Sequence, residues 1–140
     1  MDTNQILASA LAFSGLFAGM AIAYFAKEEL WGGKRYFLLM QKILIIIIFA
    51  IFLNYLQLNT HLKFALYLAA ILVVAFIEIS HYIVYFLFLP VLVFSSKNML
   101  VFSIQASLVF AYGLPTGSLL LYERVERLKE WVKKLRKKRK

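Results

Sequence analysis

The chain reads as all-α, a polytopic transmembrane helix bundle with a basic amphipathic helix at its C-terminus. Three observations predict this class. Apolar residues come in blocks of about 18 to 24 with almost no charge inside them, enough at ~1.5 Å per residue to cross a ~30 Å hydrocarbon core. Within those blocks polar and apolar residues do not alternate, which excludes a lipid-facing barrel. Ten of the sixteen Lys and Arg residues lie between Arg124 and Lys140, so the charge is concentrated outside the apolar part. Overall, 63% of the residues are hydrophobic and 16% charged, against roughly 45–50% and about 25% in soluble domains. The division predicted is a membrane domain over 1–122 and a tail over 123–140.

The first span is expected from about Ile6 to Ala26. Met1 to Gln5 lack the positive n-region of a signal peptide, so this segment reads as mature structure. Ala8, Ala12, Gly15, Gly19 and Ala23 recur at threes and fours and form one smooth face. Gly15 and Gly19 make a GxxxG motif, which lets helix backbones approach closely, within the chain or between subunits.

Lys27 to Tyr36 reads as a loop, with Gly32-Gly33 as its turn and Trp31 and Tyr36 suited to the interface. A second span is expected over about Phe37–Leu58, with Gln41 and Lys42 near one end. Asn54 and Gln57 near the other share a helical face and are candidates for cross-helix hydrogen bonds. Leu58 to Lys63 is a polar connection.

Phe64 to Phe94 is then apolar or aromatic apart from Glu78, His81 and a few hydroxyls. As one helix these 31 residues measure about 46 Å, too long for a ~30 Å core. Either one long third helix gives four spans, or a turn near Glu78–His81 gives five short ones. With five, Lys27, Lys34, Arg35 and Lys42 join the ten basic tail residues on one side against Lys63 and Lys97: fourteen against two. With four, the division is eleven against five. Burial cost agrees, since a charge at the bilayer centre costs about 2.5–3.5 kcal/mol on insertion scales. Five segments are therefore expected. On a continuous helix, however, Glu78, His81, Tyr82 and Tyr85 fall on one face, an intramembrane polar site able to share or relay a proton.

A turn at Ser95–Asn98 leads to the last span, Met99–Tyr122, interrupted at Tyr112–Ser118. Pro115 removes the donor for the Ala111 carbonyl and predicts a kink. Gly113 and Gly117 form a second GxxxG, able to pack on the first. Beyond Glu123, Val125, Leu128, Val132 and Leu135 make an apolar stripe beside Trp131. Trp131 with Lys133, Lys134, Arg136, Lys137, Lys138, Arg139 and Lys140 is the pattern of a segment held by anionic headgroups. No base-stacking surface or recognition fold accompanies the tail, which argues against nucleic acid.

Several chemistries are excluded or unsupported. There is no cysteine, hence no disulfide, thiolate nucleophile or Cys-held metal. No Walker A or Rossmann fingerprint occurs. Glu-x-x-His appears once, where a di-metal bundle needs it twice with further carboxylates. No catalytic residue, metal or cofactor is read. The expectation is a multi-pass cell-membrane protein with a cytoplasmic C-terminus, acting in structure or assembly as a homo-oligomer or with a membrane-protein partner. The alternative is a small proton- or cation-coupled transporter using Glu78 and His81.

Overall fold

The computed structural model describes residues 2–76 and 81–138. Among these are five helices and no strand: α1 (Thr3–Phe25), α2 (Lys27–Tyr55), α3 (Thr60–Phe76), α4 (His81–Ser95) and α5 (Met99–Lys138). Three stretches are long and apolar enough to cross a membrane: α1, α2 from Gly32 to Tyr55, and α5 from Met99 to Lys129. The apolar parts of α3 and α4 are shorter.

Local chemistry sets several of these bounds. At the start of α1 the Asp2 N–H donates to Gln5 Oε1 at 3.1 Å. Asn98 caps α5, its Oδ1 accepting from the N–H groups of Leu100 (3.1 Å) and Val101 (3.4 Å), donors that have no partner within the helix. α2 closes through Leu56 onto Gln57, which takes the left-handed conformation at φ 47°. That position usually falls to glycine, because a side chain there costs roughly 1–2 kcal/mol.

The structure departs from the sequence reading at three places. Lys27 to Tyr36 is helix, not loop: Ala26 alone separates α1 from α2, at φ −101° and ψ 42°. Gly32 and Gly33 lie inside α2, where each costs about 1 kcal/mol relative to alanine. The good helix formers Lys27 to Leu30 and the apolar run that follows outweigh that cost. Asn54 and Gln57 do not share a helical face, because α2 ends between them. The expected interruption at Tyr112–Ser118 is absent, since α5 runs through Pro115 unbroken. Hydroxyls reinforce the backbone there, Thr116 Oγ1 donating to the Tyr112 carbonyl at 2.7 Å and Ser118 Oγ to that of Leu114 at 3.0 Å. α4 also carries a proline within its length, Pro90.

The contacts fix how the helices run. Gly15 meets Phe110 and Gly19 meets Leu114, so α1 lies parallel to α5. Gln41 meets Thr116, and the Lys34 ammonium sits 4.9 Å from the centre of the Tyr122 ring, so α2 runs antiparallel to α5. Tyr67 bonds to Ala50 and Lys42 to Ala75, which makes α3 antiparallel to α2. Ser95 to Asn98 turn α4 back into α5. The five helices therefore alternate in direction, and α5 is the mast that α1, α2 and α4 surround. Lys34, Arg35 and the charged end of α5 share one end of the bundle; Lys63 and Lys97 lie at the other.

Candidate functional site

The inner face of α5 carries three of the six buried polar side chains among the described residues, Gln105, Thr116 and Ser118. It begins with the glycines. Gly15 and Gly19 rest on the backbone carbonyls of Phe110 and Leu114, and Gly117 on that of Leu16. A Cβ at Gly113 would come within 2.6 Å of the Gly15 carbonyl carbon and the Leu16 nitrogen. The two GxxxG motifs therefore face each other, backbone on backbone, with no room for a methyl group at any of the four positions. Ser118 adds a hydrogen bond across the same seam, Oγ to the Gly19 carbonyl at 3.1 Å.

Next to this seam lie buried side chains with hydrogen-bonding capacity. The Gln41 amide donates from Nε2 to Thr116 Oγ1 at 2.8 Å, and the Thr116 hydroxyl in turn donates a hydrogen bond to the Tyr112 carbonyl. Gln105 Nε2 donates to the Ile48 carbonyl of α2 at 3.1 Å. At the bundle's other end Gln5 Nε2 donates to the Ser96 carbonyl at 2.9 Å, tying the start of α1 to the turn between α4 and α5. Among the described residues four buried atoms have no hydrogen-bond partner: Gln41 Oε1, Gln105 Oε1, Tyr112 Oη and Ser95 Oγ. Buried polar groups in native proteins are nearly always satisfied, so such a set marks the interior as more than an apolar filling.

Of the sequence-derived polar face, Tyr85 is the member whose side chain is described. It is buried, and its hydroxyl donates to the α1 carbonyls of Phe13 at 2.8 Å and Ala12 at 3.3 Å. Its ring meets Phe13 edge-on at 5.1 Å and stacks on Tyr112 at 6.1 Å, while Phe88 meets Tyr112 edge-on at 4.9 Å. Tyr85 thus joins α4 to α1 and α5 together. His81 and Tyr82 occupy the first turn of α4, their side chains outside those described, and Glu78 lies outside the described residues. Pro115 is fully buried. In the tail, α5 continues to Lys138, and Trp131 is 61% exposed; Arg139 and Lys140 fall outside the description.

Sequence reasoning missed the inward direction of Gln41, Gln105, Thr116 and Ser118. The signal was present in part: Gln105, Tyr112 and Thr116 are spaced seven and four apart, one face of a helix. A further feature is Lys42, whose ammonium donates to the Ala75 carbonyl, in the last turn of α3, at 3.4 Å. Among the described residues no cluster of three or more His, Asp or Glu is placed to hold a metal ion. No protein family, curated protein or solved structure matches the chain significantly.

Proposed function

We propose that this chain is a small multi-pass membrane protein that serves as a structural or assembly component. One observation carries the reading: the buried glycines and the bonded polar groups are spent on holding α1 and α2 to α5 and α4 to α1. Helix association within lipid has no hydrophobic drive and depends on such contacts. With both glycine faces used inside the chain, a second copy or a membrane-protein partner meets the outer surface, where Leu11 and Phe17 of α1 are exposed.

Orientation follows from charge. The end carrying Lys34, Arg35 and the tail faces the cytoplasm, and the end with Lys63 and Lys97 faces away. Tail residues Trp131, Lys133, Lys134, Arg136, Lys137, Lys138, Arg139 and Lys140 attract anionic headgroups, by on the order of 1 kcal/mol for each basic group near the surface. With no native cysteine, single cysteines at positions 63, 97 and 134 test the topology. A membrane-impermeant maleimide applied to intact cells is expected to label 63 and 97 and to leave 134 until the cells are opened. Labelling of 134 in intact cells reverses the orientation.

A second reading, proton- or cation-coupled transport through Glu78 and His81, is favoured by the unpartnered Gln41 Oε1, Gln105 Oε1 and Tyr112 Oη inside the bundle. Its test is Glu78→Gln in a proton-flux assay on vesicles. Unchanged flux removes Glu78 from any mechanism.

A further inference from the structure

α2 and α5 meet over a small group of polar side chains closed off from the surface: Gln41, Tyr112 and Thr116 are exposed by 2%, 0% and 1%. Gln41 lies nine residues into the apolar span that begins at Gly32, roughly 14 Å along the helix axis. At that depth in a bilayer a polar atom has neither bulk water nor headgroups at hand, so its partner must be held inside the protein.

Thr116 Oγ1 is the hub of the group. It accepts from Gln41 Nε2 at 2.8 Å and donates to the Tyr112 carbonyl at 2.7 Å, which leaves one lone pair unused. The Tyr112 hydroxyl lies beside Thr116. Two atoms here have no hydrogen-bond partner among the described residues, Gln41 Oε1 and Tyr112 Oη. They are complementary, since the amide oxygen only accepts whereas the phenol carries a proton to donate. A buried carbonyl with a lone pair to spare is tolerated, but a buried donor without an acceptor is rare. Tyr112 is therefore the telling member. Its ring is stacked on Tyr85 at 6.1 Å and met edge-on by Phe88 at 4.9 Å, so the hydroxyl is not free to swing away in search of an acceptor.

We propose that Gln41, Tyr112 and Thr116 bind one internal water molecule, which accepts from Tyr112 Oη and donates to Gln41 Oε1 and to the unused lone pair of Thr116 Oγ1. Three points assign the ligand. Water both accepts and donates, as this pair of atoms requires, and three partners are usual for a buried water. A cation would take the oxygens but leave the Tyr112 proton without an acceptor. It would also bring a charge into a group whose three side chains are all neutral, with no carboxylate among the buried polar residues described. A larger solute is excluded by the near-complete burial of all three side chains. The water thus extends the joint between α2 and α5 beyond the single amide bond at Thr116.

The site needs neither the assembly nor the transport reading. Holding a water costs entropy that offsets much of what its bonds gain, so occupancy is the readout and not stability. The test is water-selective proton NMR on the full chain in bicelles of deuterated lipid. The wild type is expected to show magnetisation transfer from water to the Gln41 side-chain amide, with the sign of a bound water and unchanged as the pH is varied. Tyr112→Phe is expected to lose that transfer. Ser107→Ala, which removes an exposed hydroxyl of α5, leaves it intact. Transfer absent from the wild type, transfer that follows pH as hydroxyl exchange does, or transfer equal in wild type and Tyr112→Phe overturns the site.

A second measurement needs no variant and stands even if Tyr112→Phe does not fold. In wild-type crystals grown from a lipid mesophase and soaked in rubidium chloride, one density peak is expected within hydrogen-bonding reach of Gln41 Oε1 and Tyr112 Oη, without anomalous signal. An anomalous peak there makes the ligand a cation and overturns the assignment to water. Tyr112 Oη bonded directly to Thr116 or Gln41, with no peak between them, removes the site altogether.

Discussion

α1 and α3 are of similar apolarity yet attach to the bundle in opposite ways. α1 presents a row of small residues, and its Gly15, Gly19, Ala12 and Ala23 are buried against the rest of the chain. Among the described residues α3 packs chiefly on α2, with Leu62, Phe64, Leu68, Ile71 and Leu72 exposed. In water the larger apolar side chains would make α3 the better-anchored helix. In a bilayer burying leucine against protein gains little over burying it in lipid, and the close approach of backbones decides instead. α1 is long and apolar enough to cross a membrane and α3 is shorter, but it is close backbone approach, with the Ser118 and Tyr85 hydrogen bonds, that ties α1 to its neighbours.

The largest effect that would sharpen this contrast is expected at Gly19. Gly19→Leu forces a side chain into the Leu114 carbonyl and is expected to cost about 3 kcal/mol or more, since backbone on both sides must move. Reversible unfolding in bicelles reads the loss, and a wild-type transition would break the claim that this seam is tight. Tyr85→Phe comes next. It removes a hydroxyl shared by two α1 carbonyls but leaves no donor stranded, so a loss of roughly 0.6–1.7 kcal/mol is expected.

Gln41→Met is smaller still and informative in sign. The amide makes one buried hydrogen bond but carries an unpartnered oxygen, two effects that nearly offset, so the change is expected to stay within about 1 kcal/mol. A loss of several kcal/mol would mean that Oε1 has a partner of its own. At the bottom of the scale, Leu68→Ala in α3 is expected to shift stability by less than about 0.5 kcal/mol in bicelles, because lipid fills the space it leaves.

Helical class, the number of segments and the turn at Ser95–Asn98 could be read from the chain because apolar length and capping residues are local properties, while the connection read at Leu58–Lys63 lies earlier, at 56–59. What escaped depends on neighbours. Gly32-Gly33 reads as a turn in isolation but sits within a helix that apolar residues continue on its far side. Pro115 reads as a break, yet buried hydroxyls of Thr116 and Ser118 support the backbone around it. A single glutamine in an apolar helix, such as Gln41 or Gln105, shows nothing of whether it points to lipid or inward. Residues 77–80, Glu78 among them, lie outside the described structure, so the face that Glu78 would share with His81, Tyr82 and Tyr85 stands only as a sequence pattern.

The glycine seam also bears on how the protein is made. Of these five helices α1 leaves the ribosome before α5, and the hydrogen bond from Ser118 to Gly19 spans 99 residues. Until α5 is inserted, the small-residue face of α1 has no partner within the chain, and three intervening helices wait without their central mast. Assembly of these five helices is therefore a closing event that waits for α5 rather than a helix-by-helix accretion. A truncation before Met99 should yield inserted but unassembled helices, open to capture by any other small-residue face in the same membrane.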